Sequence, residues 1–307
     1  MESMMMKPNL MRIKLICFLT ILLIPAVAYS KLEAPKLQSS GDEVAKYTEE
    51  INKNPKDASA YFKRGLAYDK RHNTKQAIAD YSKSIELDPK NALPHYARGV
   101  AYSRLADIKP AIADFTKTIE LDPKKASAYF NRGVLYNKLG DVKQALADYS
   151  KSIELDPKDV AAYSNRSTLY LVNRNFDKVI EDCNKVIAVK SNDVKAYNNR
   201  GAAYNNLKKY KEALADFNKA IKLNPKIAQI YDNRGAAYNN LGKYNEAIAD
   251  FNKAIELNPK EGKYYYNRNI AYAHSGKYDQ AIEDVKKAAK LGYKPAQDQV
   301  KRQGFDK

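Results

Sequence analysis

The feature that most constrains the fold of this chain is an internal repeat. The string IELDPK ends at Lys90, Lys124 and Lys158, and the related strings KLNPK and IELNPK end at Lys226 and Lys260. Every interval is 34 residues or a multiple of 34, so no insertion interrupts the register. A chain with one fixed, short period is expected to stack copies of a single supersecondary unit, each covering the apolar face of its neighbour.

Seven full repeats and two terminal segments account for most of the chain. The repeats are residues 58–91, 92–125, 126–159, 160–193, 194–227, 228–261 and 262–294. Positions are numbered from 1 within each repeat, so that Ala58 is position 1 of the first. Residues 41–57 align with the second half of a repeat and predict a capping helix. Residues 295–307 predict a C-terminal capping helix and tail, since a solenoid needs its terminal apolar faces covered.

Aromatic and small residues recur at fixed positions within the repeat. Positions 4, 11 and 24 are typically aromatic, positions 8, 20 and 27 are small, and position 32 is Pro. In the first and sixth repeats these residues are Tyr61, Gly65, Tyr68, Ala77, Tyr81, Ser84 and Pro89, and Tyr231, Gly235, Tyr238, Ala247, Phe251, Ala254 and Pro259. Spacings of three and four place positions 4, 8 and 11 on one helical face and positions 20, 24 and 27 on another. Because Pro ends the second helix, each repeat predicts a helical hairpin.

The period and these residues resemble the tetratricopeptide repeat (TPR) family over about 250 residues of the chain. The resemblance implies an all-α fold, a right-handed superhelical solenoid of stacked antiparallel helix pairs. It also implies a non-catalytic scaffold that binds a peptide or protein segment in its concave groove. Two alternatives stay open: an assembly or anchoring protein of the cell envelope that acts through its basic convex surface, and a non-catalytic subunit of an envelope complex.

The fourth repeat departs from the pattern. Position 8 is Ser167, and positions 20, 24 and 27 are Val179, Cys183 and Val186. Ser191 stands where the other repeats have Pro. The apolar character of the second helix is kept, so a hairpin is still predicted. We expect its packing to be looser than that of its neighbours.

Two charged positions match one to one along the array. Position 7 is Arg in every repeat: Arg64, Arg98, Arg132, Arg166, Arg200, Arg234 and Arg268. Position 23 is Asp in every repeat: Asp80, Asp114, Asp148, Asp182, Asp216, Asp250 and Asp284. This matching favours structural ion pairs, within a repeat or between neighbours, which can be bidentate. A stripe of arginines that binds anions is the alternative.

Asparagine recurs at position 6, which faces the concave groove in the TPR family. These residues are Asn131, Asn165, Asn199, Asn233 and Asn267, and positions 12 of the fifth and sixth repeats add Asn205 and Asn239. An amide carries both a donor and an acceptor, so a ladder of amides can bind the backbone of an extended peptide. The alternative is that these asparagines are only solvated.

Aromatic and basic residues complete the predicted groove. Position 5 carries Phe62, Tyr96 and Phe130, which would either anchor side chains of a partner or pack against adjacent first helices. Lys195 and Lys263 at position 2, together with Asn199 and Asn267, match part of a clamp with which some TPR domains hold a C-terminal carboxylate. The sequence lacks the Lys at position 5, the Asn at position 9 and the Arg at position 6 of that clamp.

Charge and composition indicate which partners and activities are expected. The chain has 53 Lys and Arg against 36 Asp and Glu, a net charge of +17, which favours an acidic protein partner or an anionic envelope surface. Nucleic acid is not expected, because no recognition module is present. His72, His95 and His274 lie in different repeats, and no His–Cys spacing suits a metal. We therefore predict no enzyme activity, no metal and no cofactor.

The N-terminal residues have the pattern of a targeting segment. Lys7, Arg12 and Lys14 precede an apolar run, and small residues follow near Ala28. This arrangement predicts a signal peptide over residues 1–30, a tether over residues 31–40, and export to the periplasm or beyond the cell as in bacteria. The open alternative is an uncleaved membrane anchor. Residues 1–30 hold three Lys or Arg and one Glu, so the remainder would carry a net charge of +15.

Overall fold

The computed structural model describes residues 40–304, which contain sixteen α-helices and no β-strand. The first helices of the seven repeats are α2 (Ala58–Lys70), α4 (Ala92–Arg104), α6 (Ala126–Lys138), α8 (Val160–Val172), α10 (Val194–Asn206), α12 (Ala228–Asn240) and α14 (Gly262–His274). The second helices are α3 (Thr74–Leu87), α5 (Ile108–Leu121), α7 (Val142–Leu155), α9 (Phe176–Val189), α11 (Tyr210–Leu223), α13 (Tyr244–Leu257) and α15 (Tyr278–Lys290). Helix α1 (Ser40–Lys53) precedes them and α16 (Lys294–Gln303) follows. The predicted signal peptide and nearly all of the predicted tether lie outside the described residues.

Local sequence sets where these helices begin and end. The carboxylate of Asp57 accepts hydrogen bonds from the backbone N–H groups of Ser59 and Ala60, which caps α2. Asp159 and Asp193 cap α8 and α10 in the same way. None of the helices between residues 40 and 304 has the length and apolar character needed to span a lipid bilayer.

In five of the seven repeats, the two helices meet at a glycine at position 8. A Cβ on Gly65 would lie 2.6 Å from the ring of Tyr81, so the aromatic at position 24 fills the space left by the missing side chain at position 8. Tyr81 and Ala77 are fully buried. The buried cluster that contains Tyr81 and Ala77 continues into the first helix of the next repeat, where it includes Ala101. The buried clusters of the other repeats continue into the following helix in the same way. The hairpins are therefore held by packing that no single repeat could supply alone.

The turn within each hairpin has one geometry in all seven repeats. The backbone N–H of position 16 donates to the carbonyl of position 11 at 2.8–3.0 Å in every case. Position 15 adopts positive φ whether it is glycine, as at Gly140, or not, as at Ala106. This is a Schellman-type end of the first helix, which needs one left-handed residue. Equivalent turn residues therefore occupy equivalent places along one edge of the array.

The arginine at position 7 joins three helices. In every repeat its Nε and one terminal nitrogen donate to both carboxylate oxygens of the aspartate at position 23, at 2.7–2.9 Å. Each pair lies within one repeat and links its two helices. The hydrogen bonds to Asp80 raise the pKa of Arg64 above its ordinary value. These arginines are thus engaged by their own repeats and do not form a free stripe for anions.

The third guanidinium nitrogen of each arginine reaches the preceding repeat. It donates to the side chain sixteen residues earlier, at position 25, over 2.5–3.3 Å. The acceptors are Thr48, Ser82, Thr116, Ser150, Asn184, Asn218 and Asn252. The seventh repeat has Lys286 at this position, where no further full repeat follows. Sequence reasoning missed this link, although the column of Ser, Thr and Asn at position 25 was its signal.

The fourth repeat is assembled differently from the others. Its two helices touch each other less than those of any other repeat, and α9 and α10 touch more than other second helices and their successors. Cys183, Val179 and Val186 share one buried cluster with Ala196 and Ala203 of the fifth repeat. The fourth repeat therefore packs less within itself than the other repeats do and slightly more against its successor.

Candidate binding surface on the first helices

The first helices form the inner surface of the array. Consecutive first helices contact each other directly, as α2 with α4, α8 with α10 and α12 with α14 do, and consecutive second helices do so less. The stack therefore curves towards its first helices. Side chains at positions 2, 5, 6, 9 and 12 of those helices are the ones to consider for binding.

Most of the asparagines at position 6 bond to the neighbouring repeat. The side-chain N–H of Asn131 donates to the hydroxyl of Tyr96 at 3.0 Å, and that of Asn233 to Asn198 Oδ1 at 2.9 Å. Asn267 donates to Asp232 Oδ1 at 2.6 Å. Donor and acceptor are 35 residues apart each time, one repeat plus one residue. These bonds cross-link consecutive first helices.

This arrangement corrects the expected asparagine ladder. Asn199 and Asn267 are only 2% and 5% exposed, and Asn199 donates to Thr168 Oγ1 at 3.3 Å. Asn165 is half-buried beside Tyr149. Amides whose donors face the preceding repeat are not free to bind a peptide backbone along the whole groove. The prediction was wrong for Asn199 and Asn267 as exposed ligands, because position 6 lies between neighbouring first helices.

The asparagines at the C-terminal ends of α10 and α12 keep more of their hydrogen-bonding groups free of the neighbouring repeats. Asn240 donates to Asn205 Oδ1 at 3.2 Å, and Asn206 donates to the carbonyl of Ala202 in its own helix. Within the described residues, the side-chain oxygen of Asn239 is buried and has no hydrogen-bond partner. Both Asn206 and Asn240 are exposed.

The aromatic residues at position 5 pack inside their own repeats. The ring centroids of Phe62 and Tyr81 are 5.9 Å apart, as are those of Phe130 and Tyr149. Tyr96 lies 5.7 Å from Phe115 in the same way. Phe130 is buried and is no anchor for a partner, which corrects the expectation for that residue. Phe62 and Tyr96 keep part of their surface in the groove.

The two lysines at position 2 have opposite surroundings. Lys263 is buried, and its ammonium lies 2.9 Å from Asp232 Oδ2, with the side chains 8% and 1% exposed. Asn267 and Gln229 also donate to the Asp232 carboxylate. The prediction that Lys263 faces a partner was therefore wrong, because a carboxylate of the preceding repeat already occupies it.

Lys195 has no such carboxylate. The residue 31 positions earlier, which is Asp232 for Lys263, is Ser164 for Lys195. The nearest acid, Asp193, caps α10 and pairs with Lys190 at 3.2 Å. Lys195 is exposed, but the protein around its ammonium desolvates it and lowers the pKa of Lys195 below its ordinary value. Lys195 therefore forms no ion pair with a described residue of the kind that Lys263 forms with Asp232.

No catalytic constellation stands out in the part of the chain that the structure describes. His95 is buried in the aromatic slot at position 4, with Nδ1 3.3 Å from Asp114 Oδ1, while His72 and His274 are exposed in separate hairpins. No group of His, Cys, Asp and Glu between residues 40 and 304 could hold a metal ion. Cys183 is buried, and burial raises the pKa of its thiol to about 12, so little thiolate forms at neutral pH.

Stacked helical hairpins with this core define a repeat solenoid of the kind that serves as a protein-binding scaffold. A tetratricopeptide repeat model matches residues 58–91, 126–159, 194–227 and 228–261, and two further tetratricopeptide repeat models match residues 94–125 and 251–283. Together the matches cover more than half of the chain, which therefore belongs to the tetratricopeptide repeat family. Residues 160–193, the divergent fourth repeat, fall between the matched segments.

Solved structures confirm the predicted all-α superhelical fold. A tetratricopeptide repeat protein from Parabacteroides merdae ATCC 43184 has a TM-score of 0.57 and 22% identity, over 84% of this chain and 98% of that one. A chain of the APC/C hetero-tetramer Cut9–Hcn1 has a TM-score of 0.57 and 21% identity, over 86% of this chain and 52% of that one. No curated protein matches this sequence. Proteins of this family are generally non-catalytic scaffolds that bind protein or peptide partners.

Proposed function

We propose that this chain is a non-catalytic scaffold that binds an acidic segment of a partner protein on the surface of its first helices. Lys195 of α10 is the residue that would face a carboxylate of the partner. The family supports the scaffold role in general terms, and the inner surface supports the choice of an acidic partner.

One observation carries the proposal, and it is a comparison of two equivalent places in the same molecule. In the sixth and seventh repeats, Lys263 and Asn267 hold the carboxylate of Asp232. In the fourth and fifth repeats, Lys195 and Asn199 stand at the same positions, and Ser164 replaces the aspartate. The first arrangement is complete within the chain, and the second has no carboxylate at the place of Asp232.

The physical chemistry of Lys195 favours an external anion. Lys195 is exposed, but the protein around its ammonium removes part of its hydration, and no ion pair with a described residue compensates for that loss. A carboxylate in the groove would supply the opposite charge. Asn199 is buried and donates to Thr168 Oγ1 at 3.3 Å, so Lys195 is the residue that would make the contact with the anion.

Neighbouring side chains suit an extended segment that passes Lys195. The half-buried amide of Asn205, at position 12 of α10, can bond to polar groups of its backbone. Towards the N-terminal repeats, the partly exposed rings of Phe62 and Tyr96 offer apolar contact. The segment would thus find polar contacts on one side of Lys195 and apolar contacts on the other.

The proposal extends to location on the strength of the N-terminal sequence alone. Residues 1–30 have the layout of a signal peptide, which supports a partner in the bacterial envelope or outside the cell. The intact mass of the protein purified from its natural host would show whether cleavage occurs near Ala28 or Ser30.

The test uses arrays of short extended peptides that contain Asp or Glu, together with isosteric arrays in which Asn or Gln replaces the acid. The full chain is expected to prefer acidic peptides. Lys195→Met should weaken that binding about tenfold, as the loss of one charge-assisted contact does.

Lys185→Met is the matched control, because Lys185 is an exposed lysine on the outer helix α9 with the same charge. It should leave the dissociation constant within about twofold of the wild type. Equal weakening by both variants would mean that net charge alone attracts the peptides, and would refute a site at Lys195.

A further inference from the structure

The hairpin turns form a second surface, separate from the groove, which we call the turn edge. It comprises positions 13–18 of each repeat, residues 70–75, 104–109, 138–143, 172–177, 206–211, 240–245 and 274–279. The same backbone hydrogen bond closes all seven turns, so their tips point to one side of the stack. The turns between repeats lie on the opposite side.

The turn edge is strongly basic. Its seven segments contain thirteen Lys or Arg and four Asp or Glu. Several of the cations are engaged within the chain, as Lys70 is with Glu43 and Arg104 with Asp69. Lys138, Lys208 and Lys209 are exposed and form no ion pair with a described residue. The turn edge therefore carries much of the net positive charge of the protein.

Exposed apolar side chains also concentrate on the turn edge. Seven large hydrophobic residues between residues 43 and 304 are exposed, and five of them lie on the turn edge. The five are Leu105, Leu139, Val172, Leu241 and Tyr278. Leu139 is 54% exposed and Tyr278 is 66% exposed. Leu105, Leu139 and Leu241 lie in the turns, and Val172 and Tyr278 lie at the helix ends that flank them. Each has Lys or Arg beside it or within two residues.

We propose that the turn edge docks peripherally on an anionic lipid surface. Lysines attract acidic headgroups, and isolated apolar side chains between them can enter the boundary of headgroups and acyl chains. An interface with a protein needs a contiguous apolar centre and is depleted in Lys, which does not describe this edge. Nucleic acid would use the cations and leave the leucines in water.

The experiment measures sedimentation of the full chain with vesicles of phosphatidylcholine, with and without about one-third phosphatidylserine. Three charge reversals on the turn edge, Lys138→Glu, Lys208→Glu and Lys209→Glu, are compared with Lys90→Glu, Lys124→Glu and Lys226→Glu on the opposite edge. Both sets change the net charge equally, and residues 1–39 are common to all variants. A third variant carries Leu105→Ser, Leu139→Ser and Leu241→Ser.

We expect the chain to bind the anionic vesicles with an affinity that falls as salt is added. The turn-edge reversals should lower that affinity about tenfold or more, and the reversals on the opposite edge about threefold or less. The leucine variant should bind the anionic vesicles several-fold more weakly, while its circular dichroism spectrum stays unchanged. Equal losses from both reversals, an unaffected leucine variant, or no preference for anionic vesicles would overturn the proposal. Binding of polyglutamate, but not of vesicles, through the same edge would overturn it in favour of an acidic protein.

Discussion

The aromatic residue at position 24 shows how single atoms matter in this repeat. Tyr81 and Phe115 occupy the same fully buried place, and the hydroxyl oxygen of Tyr81 has no hydrogen-bond partner among the described residues. Burial raises the pKa of Tyr81 well above its ordinary value, so the side chain stays neutral. A neutral but unpaired hydroxyl still costs free energy, because it has lost its bonds to water.

Tyr81→Phe should therefore raise the free energy of unfolding by about 1 kcal/mol, since it removes the unpaired hydroxyl and keeps the ring. Phe115→Tyr is the reciprocal change and should lower it by a similar amount. Urea unfolding followed by circular dichroism measures both. A destabilised Tyr81→Phe variant would show that the hydroxyl has a partner that this account omits.

Residues fixed by the period could be predicted from the sequence, and residues that depend on a neighbour could not. Gly65 and Tyr81 were placed correctly in the helix contact, because small and aromatic residues at recurring positions leave one packing solution. Asn199 was predicted to face the groove, but its amide turns towards the preceding repeat, because a side chain between two helices can take either direction. Lys195 and Lys263 looked alike within their own repeats. The residue that distinguishes them lies 31 positions earlier, in another repeat.

At the scale of the helix, the arginine at position 7 is the main polar connection. Arg200 pairs with Asp216 within the fifth repeat and donates to Asn184 of the fourth. Asp216 is buried, so its removal leaves a guanidinium without its counter-charge. Breaking a buried pair by removing one partner costs much more than losing an exposed one.

Asp216→Ala should therefore lower the free energy of unfolding by about 3 kcal/mol. Glu256→Ala is the control, because the exposed pair of Lys253 and Glu256 contributes little. Thermal denaturation of both variants decides the matter. Unchanged stability of Asp216→Ala would contradict the structural role of the pairs.

The fourth repeat has a different dependence on its neighbours. Its helices α8 and α9 touch each other less than those of other hairpins, and its buried residues cluster with those of the fifth repeat. We expect faster amide hydrogen exchange in α8 than in α10 or α12, because local opening follows the density of buried contacts. Exchange measured by mass spectrometry would contradict this if α8 were as protected as α12.

For the whole molecule, an uninterrupted period made the fold predictable. Each hairpin covers the next, so a correct reading of one repeat extends to all seven. The ends obey a different rule. In α1, Glu43 and Glu50 replace the small residues of positions 20 and 27, which suits a helix that has no first helix of its own hairpin among the described residues. The binding surface could not be predicted in the same way, because it arises where repeats differ.

The central claim is that Lys195 binds a carboxylate of a partner, whereas Lys263 binds the carboxylate of Asp232 in its own chain. Ser164→Asp tests it most directly, since it places an acid where Asp232 stands two repeats later. Ala188→Asp adds the same charge on the outer face of α9 and is the control, and Ser164→Asn tests the change of shape without charge. The measurement is the affinity for the acidic peptide that the wild type binds best.

The account predicts that Ser164→Asp folds normally and loses the peptide about as completely as Lys195→Met does, because its own carboxylate fills the site. Ala188→Asp and Ser164→Asn should bind almost as the wild type does. If Ser164→Asp bound the acidic peptide as tightly as the wild type, Lys195 would not be the site, and the proposed groove for an acidic partner would be wrong.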